Sequence, residues 1–166
     1  MAAVPSASDH DGFVHLAASG PSHGGPDRVA WMLAADPPWP DLVAEPPPGA
    51  GLRRYATDLR LPLGRDVAPA TFHKAAFLDL GIPRRVDDAW HVEVGWRAST
   101  AAPLFPVFSG RLTITAGELR IDGFYAPPGG VIGRVADRVL LHVAANGTAR
   151  WLLREIDRAA NAEATG

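Results

Sequence analysis

The sequence predicts an α+β domain: a curved antiparallel sheet of about six strands covered by one long C-terminal helix, with two short helices after the first strand. Three observations predict it. Nine of the 16 prolines fall in the first 50 residues and none follows Pro128. Proline breaks helix interiors and central strands, so short elements are expected early and a long helix fits only at the end. Trp90, Val92, Val94 and Trp96 alternate with His91, Glu93, Gly95 and Arg97, the period of a strand with one apolar and one wet face. Apolar residues then recur at spacings of three and four from Val131 to about Ala162, which describes an amphipathic helix about 45 Å long.

Each element has its own signal. Phe13 to Ala18 reads as a first strand and Gly20 to Gly25 as a loop. Pro26 suits the first position of a short helix, with Asp27 in its first turn and Val29, Ala30, Leu33 and Ala34 on its apolar face. A second short helical turn is expected over Asp41 to Glu45, followed by the stiff connector Glu45-Pro-Pro-Pro-Gly49. Tyr55 to Leu63 and Thr71 to Leu80 read as strands, and Arg84 to Asp88 as the hairpin turn into the alternating strand. Leu112 and Ile114 alternate with Arg111, Thr113 and Thr115, and Ala116-Gly-Glu118 turns into Leu119, Ile121 and Gly123. Short turns between such strands describe a meander rather than βαβ units. In the last helix one stripe runs through Ile132, Val135, Ala136, Val139, Leu140 and Val143, and a second through Ala149, Leu153, Ile156 and Ala160. The two are out of phase at Asn146-Gly147, so a kink there or a twist past two surfaces is expected.

The length of 166 residues fits one domain over 1–166, with disorder expected over 1–12 and fraying over 163–166. Cysteine is absent, which excludes disulfides, thiolate metal sites and thiol catalysis. Sixteen basic residues stand against 18 acidic ones, which argues against a nucleic-acid binder. The N-terminal residues lack the basic region of a secretory signal and no apolar run approaches a spanning helix. A cytoplasmic protein with no membrane partner is therefore expected.

Motifs that carry chemistry are weak. Gly20-Pro-Ser-His-Gly24 has the G-x-S-x-G pattern, but a nucleophile elbow needs a strained turn atop a parallel sheet, so a loop is expected. The six histidines form no metal-ligand pair by spacing, and neither metal nor cofactor is expected. Gly129-Gly-Val-Ile-Gly133 lacks the lysine of a phosphate loop and reads as a helix entry. The aromatic residues are the richer clue. Phe77, Trp96, Phe108 and Tyr125 read as walls of a site, with Val143 and Trp151 on the helix side and His73, Asp79 or Arg97 to orient a polar group. A packed core and an aromatic-lined pocket remain alternatives for them.

Leu104-Phe-Pro-Val-Phe-Ser-Gly110, Gly95-Trp-Arg-Ala98 and Ile121-Asp-Gly-Phe-Tyr-Ala-Pro-Pro-Gly-Gly-Val-Ile-Gly-Arg-Val-Ala-Asp-Arg-Val-Leu-Leu-His142 resemble a bacterial branch of the START-like or SRPBCC superfamily. The likeness spans about residues 70 to 157 and is strongest from 104 to 142. It implies a helix-grip fold, in which the sheet wraps the C-terminal helix around an elongated cavity. Members of that superfamily bind lipids, sterols, aromatic polyketides or plant hormones, and some are cyclases or hydrolases. A binding module for a small hydrophobic or aromatic molecule is therefore expected, without demonstrable catalysis. A polyketide cyclase or aromatase-like enzyme is the alternative, and an interaction domain with a filled core a second one. A homodimer is compatible with each.

Overall fold

The computed structural model describes residues 13–63, 70–99, 107–126 and 135–162, and within them the side chains of 59–74 and 135–141 are left aside. The chain runs β1 (Val14–Pro21), α1 (Pro26–Ala34), β2 (Val43–Glu45), β3 (Leu52–Leu63), β4 (Ala70–Gly81), β5 (Arg84–Val86), β6 (Ala89–Ala98), β7 (Val107–Thr115), β8 (Glu118–Ala126) and α2 (Val135–Ala162). All strands join one antiparallel sheet in the order β1-β8-β7-β6-β4-β3-β2, with β5 paired to β6 off that path. β1 thus crosses to β8 at one edge, and the meander runs out to the short β2 at the other.

The α+β class holds, with eight strands instead of six. The two additional strands have three residues each and every residue exposed, so neither carries an alternating pattern. β2 occupies Val43–Glu45, where a second short helix was expected; the proline-rich residues before it leave no run for a helix. One short helix, α1, therefore stands among the described residues. The expected turn over Arg84 to Asp88 is a strand, Arg84–Val86, followed by a tight turn at Asp87, whose φ is +53°. The expectations for 1–12, for 163–166 and for the first helix stripe up to Leu140 lie outside the described residues.

α1 begins at Pro26, as its fixed φ favours. Its end is capped from outside the helix. Arg53 donates to the carbonyls of Leu33 (2.6 Å), Ala34 (3.3 Å) and Ala35 (2.6 Å) and to Gly81 O (3.2 Å). Those carbonyls have no partner within the helix, so one guanidinium closes α1 and ties it to β4. At the other end Asp27 accepts from Trp90 Nε1 at 2.7 Å and lies 3.4 Å from Arg85.

α2 is one α-helix of 28 residues that passes through Asn146 and Gly147. Asn146 Nδ2 donates to His142 O (3.0 Å) and Thr148 Oγ1 to Ala144 O (2.9 Å). Ala145, Thr148, Ala149, Leu152, Leu153, Ile156, Ala159 and Ala160 are buried, and the expected second stripe lies within this set. The helix packs on β1, β3, β8 and α1. Between α2 and the sheet sits the core, which takes in Leu16, Val29, Leu33, Trp39, Leu112, Ile114, Leu119 and Ile121.

Candidate functional site

Strand pairing places the aromatic residues on one line. The register aligns Val14, Tyr125, Phe108, Trp96, Leu78, Tyr55 and Ala44 across the sheet from β1 to β2. Side chains on directly paired residues share a face. Trp96, Phe108, Tyr125 and Tyr55 are all buried in the core, so this rung crosses the inner face, under the helix layer.

A glycine pair shapes the rung. Gly110 and Gly123 face each other across β7 and β8. A Cβ on Gly110 would lie 2.6 Å from Phe108 Cζ and clash with the Asp122 carbonyl; one on Gly123 would lie 2.7 Å from the same ring atom. The Phe108 ring therefore lies over backbone that carries no side chains. Its other face meets Trp96, with ring centroids 4.0 Å apart and planes 15° from parallel, a stacked pair.

The polar atoms of the rung differ in their fate. Tyr55 Oη donates to Asp36 Oδ1 at 2.7 Å, and burial first, then this bond, push its hydroxyl pKa up to about 12. Tyr125 Oη lies 3.3 Å from His142 Nδ1 on α2, and burial holds its pKa above the ordinary value. The Trp96 indole Nε1 is buried with no hydrogen-bond partner, in a residue only 2% exposed. A donor left unpaired in the interior costs about 1–3 kcal/mol.

The opposite face of the same strands carries the other predicted residues. The register sets Arg54, Asp79, Gly95, Ser109, Phe124 and His15 on the adjacent rung, where parity turns them away from the core. Asp79 is buried, with its side chain 8% exposed, and accepts from Arg54 Nε (2.7 Å) and Nη2 (2.9 Å). Arg97 Nη2 lies 3.7 Å from the same carboxylate. The Asp79 hydrogen bond, against desolvation, holds the Arg54 guanidinium above its ordinary pKa. Arg54 also covers the half-buried Phe77 ring at 5.1 Å. Here an open groove of about 940 Å³ has Gly95 and Ser109 on its floor, with Asp79, Arg97, Arg111 and Phe124 among its walls.

The structure thus brings together Trp96, Phe108 and Tyr125, and separates Phe77, Asp79 and Arg97 from them by the thickness of the sheet. Val143 is 60% exposed, and Trp151 is partly buried against the core. His73 pairs with Arg60 in the β3–β4 register; its side chain is outside the described residues. The sequence reading missed Tyr55, His142 and Arg54. Register reveals Tyr55 and Arg54, and contact across the interior His142. Gly20 to Gly24 forms no elbow: Ser22 Oγ is buried without a partner, just past the end of β1, an edge strand of an antiparallel sheet. Its neighbour His23 instead binds Asp157 through Nδ1 (2.8 Å) and through its backbone N–H (2.8 Å).

Among the described residues no group of three His, Asp or Glu could hold a metal ion, and no helix is long and apolar enough to cross a membrane. Compared with known proteins, the chain matches no family model and no curated protein.

Proposed function

We propose that the chain is a binding module of helix-grip form that holds a small hydrophobic or aromatic molecule between the inner face of the sheet and α2. The observation that carries this reading is the Trp96 indole N–H. It is sealed from water and unpaired in a stacked aromatic rung, and buried polar groups are otherwise almost always satisfied. A guest that accepts from it recovers the free energy that the empty donor forfeits. Packing of α2 on both β1 and β3, which lie near opposite edges of the sheet, supports a sheet that curves around the helix. The binding energy comes mainly from apolar burial, at roughly 25 cal/mol per Å² before ordering costs.

Native against denaturing mass spectrometry of freshly purified protein tests the reading. A small non-covalent mass, lost on denaturation and lost in Trp96→Ala, is the expected result. A chain that carries no such mass, or an adduct that survives Trp96→Ala, contradicts it.

A second reading, a protein-interaction domain, is favoured by Trp31. This α1 residue is 82% exposed, and the helix that bears it is tied at Asp27 to the β5–β6 hairpin, where Val86 is also exposed, as is Ile82 just before β5. Exposed tryptophan beside apolar residues is common at protein contacts. Concentration-dependent mass by light scattering, compared between the native chain and Trp31→Ala, separates a self-association role from the binding role. The enzyme alternative gains nothing from Asp79, whose carboxylate is fully engaged by Arg54 and faces away from the rung.

A further inference from the structure

We infer that the guest of the inner face is a neutral, ring-bearing molecule whose carbonyl or ether oxygen accepts the Trp96 indole N–H. This rests on the binding reading above and narrows it to a chemical class.

The indole nitrogen is a donor only, so whatever satisfies it must be an acceptor. No described residue supplies one: Nε1 has no partner, although Trp96 sits in the middle of the sheet, three pairings from β1. The two hydroxyls of its rung are engaged elsewhere, Tyr55 with Asp36 and Tyr125 with His142. The three other unpaired buried polar atoms are Ser22 Oγ, Arg28 Nε and Arg53 Nε. They lie on the β1–α1 connection, on α1 and under the end of α1, with the Arg53 guanidinium 6.0 Å over Tyr55, two pairings from Trp96. Arg53 uses its other nitrogens to close α1, whereas the Trp96 indole has no second donor and sits in the Phe108 stack.

Charge points the same way. The rung Val14, Tyr125, Phe108, Trp96, Leu78, Tyr55 and Ala44 contains no ionisable carboxylate or cation. On the next inner rung the cation Arg53, paired with Leu80, is committed to the carbonyls that end α1. An anionic guest beside Trp96 would be desolvated with no cation on its own rung, since Arg53 lies over Tyr55, two pairings away, and is held by the α1 carbonyls. A saturated chain without oxygen would leave the indole N–H unpaired. Flat rings suit a surface made by the Phe108–Trp96 stack and the side-chain-free Gly110–Gly123 pair beneath it.

The test compares benzophenone with diphenylmethane, which has the same two rings and lacks the carbonyl, by titration calorimetry on the whole chain. The expected result is benzophenone at least about tenfold tighter, since an acceptor meets a donor that is otherwise unpaired. In Trp96→Phe that preference should fall below about twofold while diphenylmethane still binds. Equal affinity of the native chain for the two probes overturns the inference and leaves the binding reading intact; this arm needs no variant. A preference that persists in Trp96→Phe overturns it as well, because another donor then reads the carbonyl. If palmitate binds more tightly than benzophenone, the neutral ring class is wrong. If none of the three binds, the binding reading itself falls and the inference with it.

Discussion

The two faces of the central strands treat polarity in opposite ways. On the outer face the buried Asp79 and the half-exposed Asp122 both have protein partners. Asp79 accepts two bonds from Arg54 and has Arg97 3.7 Å away, and Asp122 lies between His15 and Arg120 at 3.1 Å and 3.4 Å. On the inner face, one rung away, the Trp96 donor has no partner. The outer face has an open groove, and its buried carboxylate, Asp79, is already satisfied by Arg54. The inner face is buried, and among the described residues it carries the unpaired Trp96 donor. An unpaired buried group, rather than a concavity, is therefore the feature on which the proposed ligand site rests.

Four predictions sharpen that comparison, from the largest expected effect to the smallest. Asp79→Ala removes one partner of a buried pair and should cost about 3–5 kcal/mol in chemical denaturation. Combining it with Arg54→Met should recover most of the loss, because the stranded charge is then gone; an undiminished loss in the double variant would mean the outer face is not held by the pair. Gly110→Ala should destabilise by about 1–3 kcal/mol and weaken the near-ultraviolet circular dichroism of the Trp96–Phe108 stack, since the new Cβ meets the Phe108 ring and the Asp122 carbonyl. A stability equal to the native chain's would show that the ring does not lie over the glycines. Trp96→Phe should change stability by less than about 1 kcal/mol, because lost packing is offset by removal of the unpaired N–H. A loss as large as that of Asp79→Ala would place Trp96 in a satisfied, purely structural role.

The fourth prediction concerns acid. The His15 hydrogen bond, then that of Arg120, lowers the Asp122 pKa. Burial alone would raise that of Asp157, but the His23 backbone and ring and Asn161 outweigh it and hold it low. A carboxylate with a folded pKa below its unfolded one adds stability that is present at neutral pH. That stability is lost as pH falls through the ordinary carboxylate range to the depressed folded value. His23→Ala should therefore flatten the acid limb of the stability curve by less than about 1 kcal/mol, given the exposure of His23. An unchanged acid limb would show that the His23–Asp157 contact does not form in solution.

How much of this was legible depended on the strand. β6 carries Trp90, Val92, Val94 and Trp96 on one parity and His91, Glu93 and Arg97 on the other, so its inner face could be read directly, and β7 and β8 likewise. β4 could not be phased in the same way. Phe77 and Leu78 are adjacent and both apolar, and Ala76, Leu78 and Leu80 are the buried set. Taking Phe77 as inward therefore drew Asp79 inward with it. The charge of Asp79 was the available sign that odd positions face out. β2 and β5 were illegible because three exposed residues have no period. The pairing of Arg54 with Asp79 and of Tyr125 with His142 joins residues 25 and 17 apart, and no local pattern encodes either. The orphaned indole could not be seen in the sequence at all, since it is defined by what every other side chain fails to do.

The measurement that bears most directly on the account is the indole region of a ¹H–¹⁵N spectrum of tryptophan-labelled protein, with Trp96 assigned by its loss in Trp96→Phe. The account predicts a Trp96 N–H that is slow to exchange with water and lies at the position of a non-bonded indole. On addition of benzophenone it should move downfield, while the Trp90 N–H, held by Asp27, stays in place. A Trp96 signal that already sits at a hydrogen-bonded position, and that benzophenone leaves unmoved, would contradict it.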